Sequence, residues 1–445
     1  MSNKLIEPKV LKGFQDTLPN AAIQRREMVS KIESVFCSFG FAPIDTPALE
    51  YTEILLGKGS NEADKQMFRF NDQGGRDVSM RFDLTIPLAR FAALHQNELT
   101  FPFKRYHIAP VWRAEKPQKG RYREFIQCDF DTIGTDSKTA DAEIVAVICS
   151  ALEKIKIDHQ VRINNRKILN GVLENLSVRD RSASVLRAID KLEKIGKEAV
   201  EKELAEEARL NASQIESVFK YVELSKGNLE AEILFKELKI YLGASELGLQ
   251  GLSELMEVYA TAQDFGCKKE DLEIDLTIAR GLDYYTGTVF ETRLRKLPTI
   301  GSICSGGRYD DLASLYTKRR LPGVGSSIGL DRILGALEEL GSIDKRTSPA
   351  NVYVSILDES AKQSAIKIGT DIRKQGIACE VALESASLGG QLKYADLKGI
   401  EFAVIIGSSE ISNGKAPIKN LKTKEQSDPI TFSEIPNYLL KAVQG

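Results

Sequence analysis

Apolar positions fall into distinct regimes along the chain. From Ile23 to Phe39 they recur at helical spacing (Ile23, Val29, Ile32, Val35, Phe36, Phe39) and stop at Gly40, which predicts one helix. Phe41 to Leu49 carries Pro43 and Pro47, and prolines confine a strand to an edge or an interface. Gln66 to Phe70 reads as a short strand. Ser79 to Thr85 reads as another, running into a helix from Pro87 through Leu94. Asp83 and Thr85 share strand parity and would face one side, although Thr85 also suits a helix N-cap. A hairpin follows. An apolar, β-prone run Tyr106 to Trp112 ends in Arg113-Ala114-Glu115, a basic loop spans Lys116 to Arg121, and a second run, Phe125 to Phe130, ends on acids. Asp141 to Ile155 returns to helical spacing.

From about Arg166 to Lys269 the chain is rich in Glu, Lys, Leu, Ala and Ser. Val185, Ile189, Leu192 and Ile195 keep helical spacing, Ser213 to Glu216 fits a capping box, and Leu252 to Phe265 reads as a helix. This block is expected to be a helical insertion with a solvated Lys/Glu face and no catalytic residue. β-rich sequence resumes at Leu272. There Arg280-Gly281-Leu282-Asp283-Tyr284-Tyr285 interrupts an apolar strand, and Ser305-Gly306-Gly307-Arg308-Tyr309-Asp310 lets backbone approach something closely. Gly323 to Gly329 is a small-residue strand feeding a helix with Arg332. It lacks the Lys-Ser/Thr ending of a phosphate loop and the Rossmann spacing. Residues 341–350 read as a linker. Strand–helix alternation after Val352 indicates a compact α/β domain.

Composition adds exclusions. With 445 residues the chain exceeds what one core usually supports. Its 42% hydrophobic and 28% charged residues are ordinary for a globular protein. No apolar run approaches the roughly 18 residues of a membrane span, and residues 1–16 have no signal or transit character, so a cytoplasmic protein with no membrane partner is expected. A net charge of −2 announces no nucleic-acid binder, so any polyanion site must be local. Six scattered cysteines, none in a C-x-x-C pair, read as buried reduced thiols. With only three histidines, no resident metal is expected.

Arg113, Arg280, Arg308 and Arg332 each sit beside a strand, a glycine pair or a helix start. Together they argue for an anionic ligand such as a triphosphate. Asp83, Glu115, Asp129 and Asp131 interleave with them, which suits a ligand of both signs, such as ATP plus an amino acid.

These blocks resemble the histidyl-tRNA synthetase family, a class II aminoacyl-tRNA synthetase family, over nearly the whole chain. Phe41 to Glu50 matches the first class motif. Val111 to Phe130 matches the second, and Gly323 to Leu334 the third. Arg280 to Tyr285 and Ser305 to Asp310 match the two blocks peculiar to the histidine enzyme. The implied fold is an α+β catalytic domain on an antiparallel sheet (1–165 and 270–340), a helical insertion (166–269) and a C-terminal α/β anticodon-binding-like domain (350–445). The implied activity is ATP-dependent ligation of L-histidine to tRNA(His) through a histidyl-adenylate, releasing AMP and diphosphate, with Mg²⁺ and as a homodimer.

The resemblance also implies roles. Arg113 would hold the α-phosphate, Glu115 the adenine amino group, and Phe125 would stack on adenine. Arg332 would lie near the γ-phosphate. Arg280 would contact the reacting α-phosphate and the histidine carboxylate, so Arg280 and Arg113 are the catalytic pair. Asp83, Thr85 and Gln127 would take the substrate amino group, with Leu84 in the same histidine-binding stretch. Asp131 and Tyr284 would read the imidazole, and Tyr285 would line the pocket. Asp stands at 83 and 131 where some relatives carry Glu. The competing readings are a non-catalytic synthetase-like regulator of histidine biosynthesis and a tRNA-sensing domain. Such regulators typically lack the C-terminal domain and have eroded histidine-specific blocks, and no kinase motif accompanies a sensing domain here.

Overall fold

The computed structural model describes residues 5–57, 67–117, 122–225, 230–278, 284–343 and 345–444. The chain divides into two compact units, one of Met1–Gln15 with Met28–Leu340 and one of Asp16–Glu27 with Gly341–Gly445.

The larger unit is built on an eight-stranded sheet. Its strands are β1 (Ala42–Pro43), β5 (Phe103–Trp112), β6 (Glu124–Ile133), β7 (His159–Asn165), β8 (Leu272–Ile274), β9 (Thr288–Leu294), β10 (Ser302–Tyr309) and β11 (Gly323–Gly329). The spatial order is β1-β5-β6-β11-β10-β9-β7-β8. Every pairing from β5 to β7 is antiparallel, and only the edge strands β1 and β8 run parallel to their neighbours. The proline-bearing stretch therefore takes the edge, where a missing N–H costs nothing in the ladder. A small second sheet joins β2 (Leu49–Tyr51), β4 (Asp77–Met80) and β3 (Arg69–Asn71).

Register decides which side chains meet, because directly opposed residues on paired strands share a face. Arg105 lies opposite Asp131, Asp131 opposite Gly325 and Gly325 opposite Gly307. One step along, His107, Asp129, Ser327, Ser305 and Glu291 form the next row. The intervening positions, including Cys128, Phe130, Phe290 and Val324, face the other way into the apolar core. That core includes the helix Lys138–Lys154, buried from Ala140 through Cys149 at every position but Glu143 because it packs against both β11 and the helix Glu246–Asp264. The same core continues into the helical block through Leu169, Val185, Val218, Leu238 and Val258.

Several local expectations shift. The strand expected over Ser79–Thr85 ends at Met80, and the next helix is Thr85–Leu94. Asp83 caps its start by accepting the Ile86 N–H at 3.2 Å, so Thr85 is not the cap. The capping box sits on Asn211 and Gln214, two residues before Ser213–Glu216, and the last long helix of the block begins at Glu246 after an Ser245 cap. Cys37 is exposed and Cys379 half-buried, while the other four thiols are buried.

The smaller unit alternates strand and helix as expected. Strands β12 (Val352–Val354), β13 (Cys379–Val381), β14 (Phe402–Val404) and β16 (Ile418–Asn420) order as β13-β12-β14-β16, with the first two pairings parallel. The short β15 (Lys415–Ala416) and β17 (Ile430–Thr431) pair apart. Helices Lys362–Lys374, Leu388–Leu397 and Ile435–Gln444 bury Ile368, Ile372, Ala395 and Leu439 against them. No helix among the described residues is long and apolar enough to cross a membrane.

Candidate active site

A cavity of about 1080 Å³ opens over the polar face of the sheet. Asp83, Thr85, Arg113, Glu115, Gln127, Asp131, Tyr284, Tyr285 and Arg332 all line it. A side pocket of about 150 Å³ adds Phe125 and Tyr122 and shares Arg113, Glu115 and Arg332. The candidates scattered over 250 positions of sequence thus converge, because β5, β6, β10 and β11 are neighbours in the sheet.

The floor is acidic and buried. Asp131 is buried; its Oδ2 lies 2.6 Å from Arg105 Nη2, and its Oδ1 accepts the Tyr309 hydroxyl at 2.5 Å. Gly325 makes room for it, since a Cβ there would stand 1.9 Å from Asp131 Oδ1. Gly307 likewise admits Tyr285, whose ring carbon would lie 2.9 Å from an added Cβ. These are the close approaches that the glycine-rich blocks suggested. Burial pushes Asp83 up to about 6 and Asp129 up to about 7, with Arg105 pulling both down and neighbouring carboxylates pushing them up. Asp131 is also raised by burial, but Arg105 and the Tyr309 hydrogen bond oppose the shift. Asp83 Oδ2 and Gln127 Oε1 are buried without a hydrogen-bond partner. Gln127 donates instead to Ser327 Oγ at 2.8 Å. Unpaired buried acceptors are costly unless a ligand donor completes them.

The walls are aromatic and cationic. Tyr284 packs edge-on against Tyr285 and Tyr309, at 4.9 and 5.9 Å between ring centres. The Arg113 guanidinium sits 5.1 Å from the Phe125 ring centre while its Nε donates to the Phe82 carbonyl at 3.0 Å. Arg332 lies in both pockets and donates to the Ser302 carbonyl. Asp331 accepts the Ile126 N–H at 2.6 Å, tying the helix Leu330–Glu339 to β6 beside these groups.

Three candidates stand apart. Leu84 does not line the cavity; its side chain is buried with Ala109 and Val111, and only its carbonyl takes part, accepting from Arg105 Nη2 at 3.3 Å. Arg280 lies outside the described residues, as does most of the basic loop, at 118–121. Arg308, expected among the anion-holding arginines, faces away from the cavity. Its even position on β10 directs it to the opposite side, where it pairs with buried Asp141. Conversely, Asn170, Asp180, Ser182, Arg187 and Asp190 of the helical block line the cavity, where no residue of that block was expected. Arg105, Asp129 and Tyr309 also belong to the site. Shared parity with Asp131 on β5, β6 and β10 was the available sign.

A family model described as histidyl-tRNA synthetase matches residues 13–333, and one described as an anticodon-binding domain matches residues 351–442. The chain belongs to the histidyl-tRNA synthetase family. A histidine–tRNA ligase of Rhodopirellula baltica is 51% identical over 99% of this chain and 99% of its own length. One from Wolinella succinogenes is 44% identical over 98% and 99%. The crystal structure of histidyl-tRNA synthetase from Nostoc sp. PCC 7120 superposes with a TM-score of 0.89 at 34% identity, covering 98% of this chain and all of that one. These relatives extend through the C-terminal unit, as histidyl-tRNA synthetases do here, which leaves the regulatory-subunit reading less supported.

Proposed function

We propose that the chain is a histidine–tRNA ligase whose cavity activates L-histidine with ATP and passes it to tRNA(His). The observation that carries the reading is the pair of unsatisfied acceptors, Asp83 Oδ2 and Gln127 Oε1, in one cavity with Asp131 and Tyr284. The α-ammonium of histidine supplies the donors that Asp83 and Gln127 lack, with Thr85 beside them. Asp131 and the Tyr284 phenol read the two ring nitrogens. An apolar amino acid would leave these groups unpaired, which gives strong rejection.

Adenylation is an in-line attack of the histidine carboxylate on the α-phosphate, with diphosphate leaving. No protein nucleophile is required, because positioning and cationic stabilisation suffice. Arg113 holds the α-phosphate, Phe125 and Glu115 take the adenine, and Arg332 lies along the triphosphate. Arg280 is assigned to the reacting carboxylate and phosphate from its sequence block. Among the described residues no group of three metal-ligating side chains forms a cation seat. Mg²⁺ is therefore assigned to the nucleotide, arriving with the phosphates that hold it.

The helical block, 166–269, is assigned to the tRNA acceptor end and the 350–445 unit to the anticodon. Leu49, Tyr51 and Phe70 expose apolar side chains on one small sheet, which suits cover by a second copy in a homodimer. Charging tRNA puts the work where translation runs, which we take to be the cytoplasm.

The test is ATP–pyrophosphate exchange with each standard amino acid in Mg²⁺ and without tRNA. Exchange with histidine alone is expected. No exchange with any amino acid would return the regulatory reading.

A further inference from the structure

We propose that Arg105 is a positioning residue for histidine selection, holding the Asp131 carboxylate from the neighbouring strand in the orientation that receives the imidazole. The proposal rests on the ligase reading of the same cavity. No motif singles Arg105 out, and it does not line the cavity.

Arg105 is 0% exposed and lies opposite Asp131 on the neighbouring strand. Its Nη2 meets Asp131 Oδ2 at 2.6 Å and the Leu84 carbonyl at 3.3 Å, while Nε and Nη1 have no hydrogen-bond partner. A buried guanidinium retained for stability alone would be expected to satisfy its donors. This one is committed chiefly to a single carboxylate. Tyr309 donates to Oδ1 and Arg105 forms an ion pair at Oδ2, which has no hydrogen-bond partner of its own, so Asp131 is held at both oxygens with Oδ2 still open to a donor. Each oxygen keeps a further lone pair, so the grip fixes the carboxylate without exhausting it.

The surroundings make the choice of carboxylate matter. Asp83 and Asp129 share the floor with Asp131, Tyr309 faces it from β10 and Tyr285 from the segment before β9, and His107 stands opposite Asp129. Three buried acids in one pocket repel each other's ionisation. Of the three, Asp131 alone has a direct ion pair with Arg105, which opposes the upward push of burial, while burial raises Asp83 to about 6 and Asp129 to about 7.

The test uses the full chain with Arg105→Lys and Arg105→Met. Histidine affinity is read by calorimetry without ATP, ATP affinity separately, and folding by thermal melting. Arg105→Met is expected to weaken histidine about 30-fold and Arg105→Lys about 10-fold, with ATP affinity within about twofold of wild type. A merely structural role would lower the melting temperature without splitting the two ligands. If Arg105→Met does not fold, Arg105→Lys decides alone, because it keeps a cation beside Asp131 and loses only the planar fork. Histidine affinity within about twofold of wild type in Arg105→Lys, or equal losses for histidine and ATP, overturns the proposal. A wild-type protein that binds no histidine overturns the ligase reading with it, whereas unchanged binding in the variants overturns the role of Arg105 alone.

Discussion

Two arginines are buried in the same sheet, and they are built to opposite ends. Arg308 on β10 is 1% exposed, and its donors are saturated. Nε meets both Asp141 oxygens at 3.1 and 3.0 Å, Nη1 meets the Thr135 carbonyl at 3.0 Å and Asp310 at 3.4 Å, and Nη2 meets the Ser137 carbonyl at 3.1 Å as well as Asp141. Arg105 on β5 is equally buried, yet two of its nitrogens have no partner. The faces differ in the same way. Around Arg308 the guanidinium, Asp141, Asp310 and the Thr135 and Ser137 carbonyls close on one another and tie the helix Lys138–Lys154 to the sheet. Around Arg105, Asp83, Gln127 and Asp129 each keep an unsatisfied oxygen. A completed polar network holds the fold, and an incomplete one waits for a ligand.

The harshest way to break this contrast is Arg308→Met. It would strand Asp141, which is fully buried, as an unpaired charge, and a loss of about 3–5 kcal/mol is expected. Denaturant unfolding monitors it. Activity should fall only as far as the folded fraction falls. A loss below about 1 kcal/mol would mean that Asp141 is not held as described.

Gly325→Ala attacks the other face. The added methyl would overlap Asp131 Oδ1, and the neighbouring Phe130 carbonyl at 2.8 Å leaves no room to retreat. Overpacking of this kind costs about 1–3 kcal/mol. Its effect on chemistry should exceed its effect on stability, because Asp131 must move. Histidine-dependent exchange is expected to fall about 100-fold, with ATP affinity retained. Equal losses for both substrates would place the damage in the sheet instead of the imidazole seat.

The same contrast separates what could be read in advance from what could not. Glycine pairs, isolated arginines and apolar runs announced β6, β10, β11 and the helix after them, since each depends on local spacing. Arg308 was misassigned because its neighbours in the block do contribute to the site. Strand parity, odd for 305, 307 and 309 and even for 308, would have sent it to the other face. Arg105 was hidden for a different reason. Its partner is set by the register of β5 against β6, and that alignment is a tertiary property. Asp83 shows a third limit. It was placed on a strand by alternation, but its carboxylate caps the helix Thr85–Leu94 and ends the strand early. It still reaches the cavity, so the shared face was right though the strand was not. The capping box failed by degeneracy, because Asn211-x-x-Gln214 and Ser213-x-x-Glu216 both fit the pattern within one turn.

The smallest effect sharpens the contrast most. Asp129 is buried with one oxygen unpartnered, and its folded pKa stands at about 7 against 3.8 for the free side chain. Between those values the folded protein holds a proton that the unfolded chain has released, so stability falls as pH rises through about 7 and the penalty is complete above it. Asp129→Asn removes the charge and keeps the shape. Without substrates it should stabilise the protein by an amount that grows as pH rises from about 4 to about 7, so that the gain at about pH 8 exceeds the gain at about pH 5.5 by on the order of 2 kcal/mol. Melting curves at the two pH values decide the matter. An equal gain at both would point to packing and not to charge. A loss at pH 8 would mean that the empty floor already satisfies Asp129, and that the acidic face is as closed a network as the one around Arg308.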